Sequence, residues 1–208
     1  MRFRPRLVLC AAALAVGLSS AACVSSPPPG GVVHVLGVSE VSAAKMAAWY
    51  RANTPVTYRA SVPVETLAGY FVWEGNIERV RGDLAFAQSV LETGWFGFSS
   101  TVPPQYNNFA GIGATDSGGA PVQFPDAQTG VRAQIQHLMS YADPNASCTV
   151  PPLHNACVDP RFDLVSPHGR ATAWNDMGNG NWATDPTYAS KVIALYNRMR
   201  AFAGLGPV

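Results

Sequence analysis

The chain has 208 residues, 48% of them hydrophobic and 13% charged, which is enough for one well-buried core and too little for two full domains. Its formal net charge is +1, and setting aside Arg2, Arg4 and Arg6, which lie in a segment expected to be removed, leaves 11 basic against 13 acidic residues. A mature chain this close to neutrality gives no electrostatic case for nucleic acid as a partner.

Residues 1–22 combine a basic start, an apolar run from Leu7 to Leu18 and small residues up to Ala22, the layout of a secretory signal peptide. The run is too short for a comfortable membrane-spanning helix. Cys23 follows Ser19-Ser20-Ala21-Ala22, so the end of the segment resembles a bacterial lipoprotein signal, in which that cysteine becomes lipidated and N-terminal. Ser20 stands where such signals usually have Leu, and ordinary cleavage near Ala22 is the alternative. Either route exports the chain to the cell envelope, anchored to the membrane through Cys23 or secreted. Cys10 is lost with the signal, which leaves Cys148 and Cys157 as a pair that an oxidising compartment joins in a disulfide. A metal set of Cys148, His154 and Cys157 lacks a fourth ligand at a convincing spacing.

Residues 23–38, with Ser25-Ser26-Pro27-Pro28-Pro29-Gly30-Gly31, read as an extended tether, and residues 39–208 as the folded domain. Val41, Ala44, Lys45, Ala48 and Trp49 predict a first helix from Ser39 to Arg51, with Ser39 or Ser42 as its N-cap. A second begins at Pro63 to Glu65 and carries Leu67, Tyr70, Phe71 and Glu74 to about Arg79. Gly82 breaks the pattern, and Asp83 caps a third helix from Leu84 to Thr93, ended by Gly94. The Arg81-Gly82-Asp83 triplet is a break plus a cap rather than an adhesion signal. From Phe96 to Phe124 the chain is rich in Gly, Pro, Asn and Ser, and predicts loops with one short hairpin. A helix runs from Thr129 to Ala142, stopped by Asp143-Pro144, and a short one is expected from Gly169 to Asp176. The last helix is capped by Asp185, has Pro186 in its first turn, and turns Tyr188, Val192, Leu195 and Met199 inward.

Glu92 is the residue with the clearest chemical potential. A glycosidic bond breaks through an oxocarbenium-like transition state and needs a carboxylic acid to protonate the departing oxygen. Trp95, Phe96 and Phe109 around the third helix's end would raise the proton affinity of Glu92 by desolvating its charged form. Gln88, one turn earlier on the same face, either orients that carboxyl group or simply packs. Asn107, Asn108 and Phe109 offer amides for sugar hydroxyls and a ring for an apolar sugar face, although Asn pairs are also common turn formers. From spacing alone, Glu92 is equally an ion-paired residue of a last turn and Tyr188 a core residue. His34, His137, His154 and His168 show no metal-binding spacing, and His137 reads as a helix-surface residue or one with a single structural hydrogen bond.

Three segments, Phe86–Phe96, Asn107–Gly113 and Trp182–Lys191, occur in the order found in bacterial cell-wall glucosaminidases, and over roughly Leu67 to Met199 the chain resembles that endo-β-N-acetylglucosaminidase family. The resemblance implies a mainly α, lysozyme-like helical domain with a loop-rich or small β lobe flanking an elongated cleft. It implies Glu92 as general acid, Tyr188 facing the cleft as a catalytic partner, and Gln88, Trp95, Asn108, Phe109 and Trp182 as substrate-binding residues, with Gly111 and Ile112 in the cleft wall. Trp95, Phe109 and Trp182 would be sugar platforms. Trp182 stands where the family often has Tyr. Many members also have a second carboxylate on the opposite lobe, yet no Glu comes after Glu92 in this chain. Asp116 and Asp126 are the nearest substitutes, and the substrate's own N-acetyl group is another candidate nucleophile. The expected reaction is hydrolysis of the β-1,4 bond on the reducing side of N-acetylglucosamine in peptidoglycan glycan strands, by a monomer without metal or cofactor. A lytic transglycosylase and a catalytically silent peptidoglycan-binding protein of the same fold are the alternatives.

Overall fold

The computed structural model describes residues 31–114 and 118–208, so the signal segment, Cys23 and Asp116 lie outside the described residues. Five α-helices carry the architecture: α1 (Ala43–Asn53), α2 (Val64–Glu78), α3 (Gly82–Glu92), α4 (Ala127–Ala142) and α5 (Tyr188–Ala203). Among the described residues there is no strand, only the isolated bridges His34 to Ala173 and Leu36 to Val80. The flanking lobe is therefore loop-built rather than a small sheet, and the expected hairpin between Phe96 and Phe124 is replaced by a 3-10 turn at Pro104–Tyr106 and loop contacts such as Val122 N–H donating to the Ile112 carbonyl at 2.8 Å.

α3 is the axis of the fold. Every residue from Gly82 to Val90 is buried, which is why the segment reads as hydrophobic on nearly all sides instead of amphipathic. α2 packs against α1, α3 and α4, while α5 packs against α1 and α3. The close pairing of α2 and α3 explains Gly82. A Cβ there would stand 1.9 Å from the Phe71 carbonyl oxygen, so only glycine lets the two backbones approach. Gly82 is thus the first residue of α3, not a break before it.

Asp83 is not the cap of α3. Arg81 holds the N-cap position without a side-chain bond, and the buried Asp83 carboxylate accepts from Glu40 N–H (2.8 Å), Val41 N–H (3.0 Å) and the Tyr196 hydroxyl (2.8 Å), tying three parts of the chain together. The N-terminal caps elsewhere are the side chains that can reach: Ser42 accepts from Lys45 N–H at α1, and Asp126 accepts from Thr129 N–H at 2.8 Å at α4. α5 begins one turn after its expected cap, because Asp185 Oδ1 is taken by Thr187 N–H and hydroxyl, both at 2.7 Å. Only Trp174–Asp176 is helical in the stretch expected as a short helix, and as a single 3-10 turn.

The expected tether runs too far. Val33 and Val35 are buried in the core, Trp174 N–H donates to Val33 O at 2.7 Å, and Arg81 N–H donates to Val35 O at 2.9 Å. The packed domain therefore includes residues from Val33 onward, threaded between the turn before α3 and the 172–174 segment. The Cys148–Cys157 disulfide is present and closes the loop after α4.

Replacing Gly82 with Ala should cost about 3 kcal/mol, the upper end for overpacking a closed contact, and lower the melting temperature by roughly 6–12 °C for a domain of this size. Gly69→Ala on the same helix pair, where an added Cβ meets nothing within 4 Å, should leave stability unchanged or raise it by up to about 1 kcal/mol. Thermal unfolding by circular dichroism reads both, and equal melting of the two variants would contradict the close-approach account.

Candidate active site

Glu92 is the last residue of α3, and the turn beyond it decides where its side chain can point. Gly94, Trp95 and Phe96 have φ of +57°, +61° and +51°, three successive left-handed residues of which two are aromatic. Such a run is costly for side chains other than glycine and persists only when its surroundings hold it. Here Trp95 N–H donates to Val90 O at 2.7 Å, Phe98 N–H to Thr93 O at 2.8 Å, and the Tyr50 hydroxyl to Trp95 O at 2.7 Å. The turn drives Phe96 into the core and lays Trp95 on Trp49, at a centroid distance of 5.4 Å, beneath the Arg198 guanidinium. Trp95, half-buried, borders neither of the two cavities beside Glu92.

Two cavities meet at Glu92 and Gly111. The larger, about 490 Å³, is walled by His137, Tyr141, Arg161, Trp182 and Tyr188, and the smaller, about 190 Å³, by Thr93, Phe98, Ser99 and Val102. Glu92 thus borders both cavities. Its Oε1 accepts from Trp182 Nε1–H at 2.9 Å and from the Tyr188 hydroxyl in a short hydrogen bond. Oε2 takes no donor from the described residues and faces Gly111, where a Cβ would come within 3.8 Å of it. Burial of the Glu92 carboxyl group raises its pKa above the ordinary 4.5, and the two donors only partly offset this. Tyr188 is held well above its ordinary 10.0, first by burial and then by the Glu92 charge, so its phenol remains a hydrogen donor.

Gln88 lies behind this pair and is fully buried, so it touches no substrate. Its Nε2 donates to the Tyr188 hydroxyl oxygen at 2.8 Å and its Oε1 accepts from Gln134 Nε2 at 2.8 Å. Asn108 is likewise spent on the fold: Oδ1 accepts from Ile112 N–H (2.9 Å) while Nδ2 donates to Ile112 O (2.8 Å) and Val122 O (3.0 Å), shaping the loop that presents Gly111. Phe109 is 1% exposed, packed between Phe71, Phe96 and Phe98. Phe109 is packed into the core, while Asn108 borders the smaller cavity with its amide atoms bonded to the loop. Trp182 does border the cleft, but clamped by His137 and Tyr141 at centroid distances of 5.2 and 5.6 Å and with its N–H on Glu92.

The carboxylates considered as partners for Glu92 are placed elsewhere or not described. Asp126 is the α4 cap and Asp116 falls outside the described residues. Asp185 does border the larger cavity, where Lys191 Nζ at 2.6 Å and Thr187 lower its pKa to about 2, so it is ionised and has no proton to give at neutral pH. Sequence reasoning missed His137, Tyr141 and Arg161 as cleft residues. His137 and Tyr141 are spaced i, i+4 on α4 beside its apolar stripe, the one signal that could have shown them. His137 Nδ1 lies 2.7 Å from Asp159 Oδ2, an acceptor that selects the Nδ1–H tautomer. Among the described residues no His, Cys, Asp and Glu cluster could hold a metal ion, and Cys148 and Cys157 are bonded to each other.

The glucosaminidase family, described as mannosyl-glycoprotein endo-beta-N-acetylglucosaminidase, matches residues 68–201, from α2 to α5 with Glu92, Trp182 and Tyr188 inside the match. The chain belongs to this family. It is also similar to an uncharacterized protein of Borreliella burgdorferi, 37% identical over 129 residues, which is 62% of this chain and 59% of that protein. The glucosaminidase domain is extended here by α1 and the 33–37 segment, which precede the matched residues yet are packed into the same core.

Two outcomes test this electrostatic picture. Because the folded-state pKa of Glu92 is raised, its protonated form favours the fold at low pH and that contribution is lost as pH rises through the folded value. Glu92→Gln should therefore melt higher than the wild type above about pH 4.5, with the gap closing on acidification. In the second, Tyr188→Phe and Trp182→Phe each remove a donor from the carboxylate, and carbon-13 NMR of a labelled Glu92 should show its titration moving further upward in both. A downward movement would contradict the assignment of both groups as donors.

Proposed function

We propose that this glucosaminidase domain hydrolyses the β-1,4 bond on the reducing side of N-acetylglucosamine in peptidoglycan, with Glu92 as the general acid. The observation that carries the reading is the position and state of Glu92: a carboxyl group of raised proton affinity that borders both cavities, with one oxygen held by two donors and the other, beside Gly111, taking no donor from the described residues. A glycan lying through both cavities brings a glycosidic oxygen to Oε2. As the bond breaks, the proton passes to that oxygen and negative charge grows on the Glu92 carboxyl group. The Tyr188 hydroxyl and Trp182 N–H then strengthen as hydrogen bonds, so they favour the transition state over the bound ground state. A cleft that continues on both sides of Glu92 suits attack within a strand. The bacterial-type export signal and the three cell-wall motifs support peptidoglycan as the glycan, with the chain in the cell envelope and Cys23 as its lipid anchor.

The test is to incubate the domain from Val33 onward with purified peptidoglycan beside its Glu92→Gln variant, and to analyse released fragments by mass spectrometry before and after borohydride reduction. Reducible N-acetylglucosamine ends are expected, formed about 10²–10⁴-fold more slowly by the variant. Anhydro ends would make the domain a lytic transglycosylase, and binding without release by either protein would replace the enzyme with a binding protein.

A further inference from the structure

Resting on the proposed glycosidase function, we propose that Arg161 is a carboxylate receptor that fixes which sugar of the glycan lies on which side of Glu92. Among the described residues, the larger cavity is bordered by four ionisable side chains of the acidic and basic kinds: Glu92, His137, Arg161 and Asp185. Three of these are engaged. Glu92 holds Tyr188 and Trp182, Asp185 holds Lys191 and Thr187, and His137 holds Asp159. The Arg161 guanidinium has no carboxylate or hydrogen-bond partner among the described residues.

Its backbone is nonetheless firmly seated. Arg161 N–H donates to Asp159 Oδ1 at 2.9 Å, Leu164 N–H donates to Arg161 O at 3.1 Å, and the next residue, Phe162, is fully buried. A partly exposed guanidinium on a fixed base, bordering a cavity, presents a planar fork that matches a carboxylate in two hydrogen bonds.

Among the described residues the smaller cavity has no such group: apart from Glu92 itself, its walls are Thr93, Gly94, Phe98, Ser99, Val102, Asn108 and Gly111, all uncharged. Among the described residues the wide side therefore offers one guanidinium without a carboxylate partner, and the narrow side offers none. The glycan of peptidoglycan has the same alternation. N-acetylglucosamine is uncharged, whereas the muramic residue bears a bulky lactyl substituent whose carboxyl group is free or joined to a peptide with carboxylates of its own. The charge and size asymmetry seats the muramic residue beside Arg161 and N-acetylglucosamine in the narrow side, so that the two sugars flanking the bond at Glu92 are not interchangeable.

The experiment compares the wild type, Arg161→Gln and Arg161→Lys on soluble glycan strands in three forms: with native stem peptides, with peptides removed to leave the lactyl carboxylate, and with every carboxylate of the native strand converted to an amide. The wild type is expected to lose about 10- to 100-fold in kcat/KM on amidation, the range of one charged hydrogen bond. In Arg161→Gln the native-to-amidated ratio should fall to about one, with Arg161→Lys in between. A preference kept on the peptide-free strand places the lactyl carboxylate at Arg161, and one lost there places a stem-peptide carboxylate. A wild type that cuts native and amidated strands equally, or an Arg161→Gln variant that slows both by the same factor, overturns the proposal. Should the wild type cut none of the three, the glycosidase reading fails by itself. Calorimetric binding of native and amidated strands to Glu92→Gln, with and without Arg161→Gln, then decides the carboxylate receptor separately.

Discussion

The site depends on a chain of hydrogen bonds whose direction is set at its far end by a backbone carbonyl. Ala85 O can only accept, so the Gln134 side chain must turn its NH₂ toward it, at 3.1 Å. The same NH₂ donates to Gln88 Oε1, which leaves Gln88 Nε2 to donate to the Tyr188 oxygen, and the Tyr188 hydrogen has only Glu92 left to face. Three helices, α4, α3 and α5, are thereby oriented about one carboxyl oxygen. Each link contributes about 1 kcal/mol when made, yet breaking one strands buried polar groups at about 1–3 kcal/mol each, so the arrangement is held more by the cost of disorder than by the strength of its bonds.

A second set of buried charges, on α2, ties down α4 and the disulfide loop. Glu74 takes Arg132 from α4 through Nε at 2.9 Å and Nη2 at 3.0 Å, and Glu78 accepts the main-chain N–H groups of His154 and Asn155. These fasten the disulfide loop, which also delivers Asp159 to His137, and His137 in turn steadies Trp182. Removing one partner from a buried ion pair of this kind costs about 3–5 kcal/mol, which makes α2 as much a foundation of the cleft as the helix that carries Glu92.

The helices were legible in the sequence because their apolar spacing and the Ser42 cap obey local rules that hold wherever the chain lies. Glu92, Tyr188 and Trp182 were legible as motif residues. What the sequence withheld was direction. Trp95 and Phe109 are aromatics next to the site, and only the left-handed turn after α3 and the cluster of Phe71, Phe96 and Phe98 show that they face inward. Asn108 looks like a sugar-binding amide until its bonds to Ile112 and Val122 are seen. Val33 to Gly37 has no period to detect, since its pairing is two isolated bridges between segments far apart in the chain. Arg161 carries no motif, and its meaning arises only from which cavity it borders and which partners it lacks.

The chain of groups behind Glu92 is also a barrier to protons. Two amides and a phenol held well above its ordinary range can donate hydrogen bonds, but none can hand a proton on. In the proposed reaction the proton lost from Glu92 cannot be replaced from inside the protein. It must come from water on the cleft side, either the molecule that attacks the sugar or one that enters later, so recharging of the acid depends on water reaching the open face of Glu92.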